Sequence, residues 1–266
     1  MVAAKNINIA MEKTLRSISI LFSILFATAC SHSYTPDDVS ETNNGITIIK
    51  STQSPLNGYV RSYYENGKQQ SVKEYKNGVL NGYYLRFYPS GALSLKTTYK
   101  EGQPLGGYIQ YFENGTIKAK RIDSADRQTI YRYYKEGSLF MKQELKNFLL
   151  NGMSIQYFKD GKIFVQTPYQ NDKKNGHFIM YHKNGKINAE AIFINDSIDG
   201  PLKTWDEKGQ LLTEEYYKRG KYTGTWKYYY SNGNIKAQIV FNDNGTVKEK
   251  IEFSEDGKII DKFSTN

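Results

Sequence analysis

Gly224–Gly233 reads GTWKYYYSNG, and the same ten-residue figure runs through the chain. It stands at Gly58–Gly67 as GYVRSYYENG, at Gly82–Gly91 as GYYLRFYPSG and at Gly152–Gly161 as GMSIQYFKDG. The closing glycine recurs at Gly67, Gly91, Gly115, Gly137, Gly161, Gly185, Gly209 and Gly233. Each step is 24 residues except Gly115 to Gly137, which is 22. The opening glycine recurs at Gly58, Gly82, Gly106, Gly152, Gly176, Gly200 and Gly224, with Gln128 in its place in the shortened unit. Gly245 and Gly257 follow at steps of 12.

Five residues after the opening glycine comes an aromatic in every unit: Tyr63, Phe87, Tyr111, Tyr133, Tyr157, Tyr181, Trp205 and Tyr229. The next position reads Tyr64, Tyr88, Phe112, Tyr134, Phe158, His182, Asp206 and Tyr230. A third row, eight after the closing glycine, holds Tyr75, Tyr99, Leu145, Tyr169, Phe193, Tyr217, Phe241 and Phe253, with Asp123 as its exception. Asn-Gly, Asp-Gly and Lys-Gly pairs flanked by β-branched and aromatic residues are hairpin chemistry. Glycine at this frequency cuts every candidate helix. The fold class is therefore all-β: an elongated repeat array of stacked antiparallel β-hairpins with a 24-residue period. A hairpin alone is marginal in water, so stability comes from neighbouring units. About 18 strands at about 4.8 Å extend on the order of 80–90 Å. The lost glycine and two-residue deletion predict a bend, bulge or division near residues 117–131.

In such an array a position that is aromatic in every unit is expected to be the buried ladder, which assigns the first aromatic row to structure. Strand side chains alternate, so the second row is expected to be partly exposed. Tyr64, Tyr88, Phe112, Tyr134, Phe158 and Tyr230 are then the candidate binding surface. Lys68, Lys118, Lys162, Lys186 and Lys236 stand beside turn glycines and read as solubilising, edge-protecting residues.

Composition narrows function. The chain holds 266 residues, with 23 Tyr, 13 Phe and 2 Trp but a single Cys and three His. That excludes a disulfide framework and a multi-cysteine metal site. His32, His177 and His182 are too few and too scattered for a metal centre, so no metal and no cofactor is expected. Nucleophile-elbow, metalloprotease, phosphate-loop and calcium-loop motifs are absent, and the expectation is a non-enzyme without catalytic residues. The net charge of +9 permits acidic partners without arguing for nucleic acid.

Lys13 and Arg16 precede the apolar run Ile18–Ala27, which is too short to span a bilayer as a mature helix and reads as a signal peptide over residues 1–29. The run ends Ala27-Thr28-Ala29-Cys30. That ending resembles the bacterial lipobox, with Ala27 where leucine is usual. The resemblance implies cleavage before Cys30, acylation of its thiol and anchoring in a membrane of the bacterial envelope. Residues 30–55 are mostly polar and read as a lipidated, flexible tether with room for a short strand at Ile46–Lys50. The repeat domain is 56–260, followed by a tail at 261–266.

The Gly-x-x-x-x-Tyr-Tyr-x-x-Gly figure resembles MORN (membrane occupation and recognition nexus) repeats, and more closely the bacterial variant of YwqK-family antitoxin-like proteins. The resemblance spans residues 56–260. It implies stacked hairpins and a role in protein–protein or membrane-associated organisation without catalysis by the repeat. The expected function is a lipid-anchored scaffold binding a protein partner. A carbohydrate- or cell-wall-binding module is the first alternative, because rows of tyrosine stack on sugars. An antitoxin or immunity role is the second. Nucleic acid is not an expected partner, since no recognition motif accompanies the lysines and tyrosines.

Overall fold

A computed structural model describes residues 32–265. Cys30 and the expected signal segment 1–29 lie outside the described residues. The fold is a twenty-stranded sheet accompanied by a separate two-stranded one. From Gly58–Tyr63 to Ile259–Ser264 the strands run as an antiparallel meander, each pairing with its neighbours in the chain. No helix among the described residues is long and apolar enough to cross a membrane.

The two rims of the sheet carry different turns. On one rim sit the closing glycines. Gly67 N–H donates to the Tyr64 carbonyl at 2.9 Å and Tyr64 N–H to Lys68 at 2.8 Å. This is a type I turn closed by a left-handed glycine, Gly67 at φ +80°. A Cβ on Gly67, Gly115, Gly137, Gly161, Gly185 or Gly233 would meet nothing within 4 Å. Backbone conformation alone therefore selects glycine there. On the other rim, two-residue turns such as Asn77-Gly78 and Asn171-Asp172 hold both residues at positive φ, the type I′ geometry that matches strand twist.

The opening glycines do a different job. The pairing of Gln69–Lys76 with Val79–Phe87 shifts register between Lys73 and Tyr75, leaving a bulge around Gly82. Into the space a Cβ would fill comes the Glu74 carboxylate, which accepts the Tyr83 N–H at 3.0 Å. Glu144 repeats this at Gly152, accepting the Met153 N–H at 3.2 Å.

The shortened unit needs a correction. A break was expected near 117–131, but Ile117–Ser124 and Arg127–Tyr133 pair without any register shift. The deletion removes the two-residue bulge that the 24-residue units carry. Gln128 stands opposite Asp123, so the two exceptions to the repeat face each other. Gln128 is 4% exposed and its Oε1 accepts the Phe148 N–H at 2.9 Å. Asp123 pairs with Arg121 at 2.8 Å.

Residues 33–55 also need one. They are not a loose tether within the described residues. Ser33–Tyr34 adds a parallel strand to the edge of Gly58–Tyr63. Val39–Glu41 and Thr47–Ile49 form a hairpin of their own. Thr47 N–H donates to Gly78 at 2.8 Å and Leu56 N–H to Thr47 at 3.0 Å, and Leu56 is fully buried. The segment caps the first edge, which an unprotected sheet would leave open to pairing.

The core is thin and, apart from Val72 buried on the opposite side, lies on one face. Val60, Ala119, Val165, Ala191 and Trp226 are buried on it, with Thr97, Ser154 and Thr167 between them. Toward the C-terminal end, Tyr217, Tyr222, Trp226 and Phe241 cluster with ring centroids 4.6–5.8 Å apart. The Trp226 indole donates to the Tyr216 carbonyl at 2.9 Å.

Candidate binding face

Strand alternation decides where each aromatic row points. The core side chains Val60 and Trp226 stand two residues after an opening glycine, and the first aromatic row stands five after. The two offsets differ in parity, so the first row lies on the opposite face. Tyr63, Phe87, Tyr111, Tyr133, Tyr157, Tyr181, Trp205 and Tyr229 are therefore not the buried ladder that repetition suggested. Tyr63 is 52% exposed and the others are half-buried. Burial is still enough to push the Tyr111 and Tyr133 hydroxyls up from the ordinary phenol value.

The second row holds the repeats together. The hydroxyl of Tyr64 donates to the Phe87 carbonyl at 2.7 Å, Tyr88 to Tyr111 at 2.7 Å, Tyr134 to Tyr157 at 3.0 Å and Tyr230 to Phe253 at 2.7 Å. His182 takes the same role, with Nε2 at 2.8 Å from the Trp205 carbonyl. Phe112 and Phe158 keep the ring without the hydroxyl. Phe158 packs on Phe164 at 4.9 Å, and Lys118 stands 5.9 Å over Phe112. These rings are half-buried rather than presented to solvent.

The turn residues extend the tie. Asn66, Asn184 and Asn232 donate to carbonyls of the next turn, at Pro89, Glu207 and Glu255. Lys68, Lys162 and Lys186 do likewise, to Ser90 at 2.7 Å, Lys183 at 3.1 Å and Lys208 at 2.6 Å. They are structural donors as well as solubilising charges.

On the face opposite the core, a row of directly paired residues crosses seven adjacent strands: Leu85, Lys96, Ile109, Lys120, Tyr131, Lys142 and Ile155. Lysine alternates with an apolar side chain. The Lys96 ammonium lies 4.9 Å over the Tyr83 ring. Among the described residues, Lys96 and Lys120 form no ion pair. Lys142 meets Glu144 at 2.7 Å. That bond holds the Glu144 carboxyl below its usual range, assisted by the Met153 N–H and opposed by burial.

Farther along, the same row changes character. Glu190, Lys203, Glu214 and Lys227 are directly opposite one another on four adjacent strands, alternating in sign. Lys203 meets Glu214 at 3.1 Å. Burial opposes ionisation of Glu214, but the bonds from Lys203 and Tyr216 outweigh it and hold its pKa down. Between the two stretches, Gln166 accepts the Tyr181 hydroxyl at 3.2 Å. The face thus alternates in sign at one end, whereas at the other Lys96 and Lys120 stand without an ion pair and Lys142 is paired with Glu144.

Sequence reading passed over Lys96, Lys120 and Lys142. Their signal was a fixed offset: each stands five residues after a closing glycine, at Gly91, Gly115 and Gly137. The lysines it singled out instead are beside the turns and engaged with neighbouring turns or rings. Among the described residues no cluster of His, Cys, Asp or Glu could hold a metal ion.

The repeat geometry agrees with a family match. A family described as "MORN repeat variant" matches residues 56–77, 80–101, 150–171, 174–195, 198–219 and 222–243. The chain is a MORN repeat protein. The stretch between the second and third of these MORN matches contains the shortened unit with Gln128. No curated protein matches. Among solved structures, "Crystal Structure of TcdB2-TccC3-Cdc42" is similar at 12% identity and a TM-score of 0.23, covering 85% of this chain. "Crystal Structure of TcdB2-TccC3-TEV" follows at 13% identity and 0.22, covering 84% of this chain. This chain spans about 15% of the length of each.

Proposed function

We propose that this MORN repeat protein is a non-enzymatic, lipid-anchored scaffold of the bacterial envelope that holds a protein partner along its sheet. The observation that supports this most is the division of labour between the aromatic rows and the open face. The second row and the turns are occupied in joining repeats. The lysine–apolar row joins no repeats through side-chain hydrogen bonds at Lys96 or Lys120, and it lies on the face away from most of the core, beyond the buried Val72. A rigid array with one such face presents contact groups at fixed intervals, which is what a scaffold needs.

The anchor is the second half of the proposal. Cys30 is the chain's single cysteine and follows Ala27-Thr28-Ala29. Acylation there would tie the array to a membrane. Radiolabelled fatty acid should enter the wild-type protein and not Cys30→Ser, and the variant should leave the membrane fraction. For the scaffold role, crosslinking from the face in intact cells is the test. A photo-crosslinker at Ile109 should trap a defined protein, whereas one at Tyr222 on the core face should not. Equal trapping from both faces would refute the proposal.

A further inference from the structure

The lysine row has a pitch, and the pitch selects a shape of partner. Lys96, Lys120 and Lys142 stand on every second strand. Two strand spacings are roughly 9.6 Å, so the row from Lys96 to Lys142 covers roughly 19 Å. A polyproline II segment advances about 3.1 Å per residue and returns to the same side every third residue, about 9.3 Å. Over two repeats its mismatch with the lysines is only about 0.6 Å, well within the reach of a flexible lysine stem. A helix returns to one side every seven residues, about 10.5 Å, and accumulates a mismatch of about 2 Å. An extended β-strand repeats its side in steps of about 6.6 Å and falls out of step at once.

The spaces between the lysines fit the same shape. Ile109 and Tyr131 separate the three cations, and Leu85 and Ile155 close the row. Polyproline II segments are preorganised and dock on aromatic and apolar ridges at little entropic cost. The charge is complementary to acid at Lys96 and Lys120, with Lys142 shared with Glu144. A single file of cations suits a narrow chain. It does not form the broad basic field that a membrane surface or a nucleic acid would need.

We infer that the Lys96–Lys120–Lys142 row docks an extended acidic protein segment in polyproline II conformation, with a carboxylate at every third position. This rests on the scaffold reading above and names the chemistry of its partner. Affinity comes from two or three lysine–carboxylate contacts plus apolar contact with Ile109 and Tyr131. The first should weaken with salt and the second should not.

The test uses the full chain in detergent and a fluorescent peptide of four Asp-Pro-Pro units, followed by anisotropy. Comparison probes are a peptide of the same composition with its aspartates together, a helical peptide with glutamate at every seventh position, an acidic polysaccharide and phosphatidylglycerol vesicles. The regularly spaced peptide should bind at least fivefold more tightly than the clustered one. Lys96→Ser with Lys120→Ser should cost at least tenfold, with an unchanged melting curve. Equal affinity for both peptides, tighter binding of the helix, the polysaccharide or the vesicles, or indifference to the lysine substitutions would overturn the inference. If the peptide fails while the Ile109 crosslinker still traps a protein, the polyproline inference falls and the scaffold reading stands.

Discussion

The Tyr88 hydroxyl donates to the main-chain carbonyl of Tyr111 at 2.7 Å, one repeat further along the chain. That bond ties the second aromatic of one unit to the first aromatic of the next; the geometry recurs at Tyr64 and Tyr134, and Tyr230 makes the same bond to Phe253. It explains why the second position prefers a hydroxyl-bearing ring and why histidine is an acceptable substitute at His182.

Tyr88→Phe should keep the packing and lose only this bond. The expected loss is about 1 kcal/mol, read as a lower urea midpoint. The converse is more informative. Phe158→Tyr places a hydroxyl where the repeat geometry offers the Tyr181 carbonyl, and should raise the midpoint by a similar amount. No gain would mean that the tie contributes nothing net.

The two glycine series should respond differently to alanine. Gly115 has φ +85° and open space around a would-be Cβ, so Gly115→Ala should cost roughly 1–2 kcal/mol from backbone strain alone. Gly82→Ala adds a collision with the Glu74 carboxylate to a φ of +121° and should cost more. Glu74→Ala should recover part of the second loss and none of the first. A double-mutant cycle on urea midpoints measures that coupling.

Gln128→Ala should strand a backbone donor. The Phe148 N–H loses its acceptor, an expected cost of about 1–3 kcal/mol. Hydrogen exchange at Phe148 should quicken more than at Asp172, whose N–H donates to the Leu150 carbonyl in a neighbouring turn.

Acid should act partly through Glu144. Its carboxyl is depressed in the fold, first by the Lys142 bond. A depressed folded pKa means its contribution is complete above the unfolded carboxylate value of about 4.3 and is lost as pH falls through the folded value. Glu144→Gln should therefore be less stable than wild type near neutrality, with the gap closing toward about pH 2. The pair is partly exposed, so the gap should be small and should shrink in salt.

Much of the fold was legible because the repeat writes the same instructions many times. Gly67 and its counterparts fixed the turns, and the alternation around Tyr228–Tyr230 fixed the strands. What escaped was facing. The even spacing of Tyr63, Phe87 and Tyr111 says that the row repeats, not which side of the sheet it occupies. That depends on parity relative to Val60 and Trp226, which are not themselves a repeated residue type. The polar segment 33–55 has no sustained periodicity and offers only the short strand expected at Ile46–Lys50, which stands at Thr47–Ile49. The rest of its order comes from main-chain bonds with Tyr59 and Gly78 that composition does not record. The lysine row was hidden because its members differ from the other units at that offset, where Val72, Gln166, Glu190 and Glu214 stand instead.

Under the proposed function, joining repeats and binding a partner fall to different rows of side chains. Measuring both the melting midpoint and photo-crosslinking from position 109 in two variants tests it most directly. Tyr64→Phe with Tyr88→Phe and Tyr134→Phe should lower the midpoint and leave crosslinking intact at temperatures where the protein is folded. Lys96→Ser with Lys120→Ser should leave the midpoint unchanged and abolish crosslinking. The reverse pattern, with crosslinking lost from the tyrosine variant while it remains folded and retained in the lysine variant, would contradict the account.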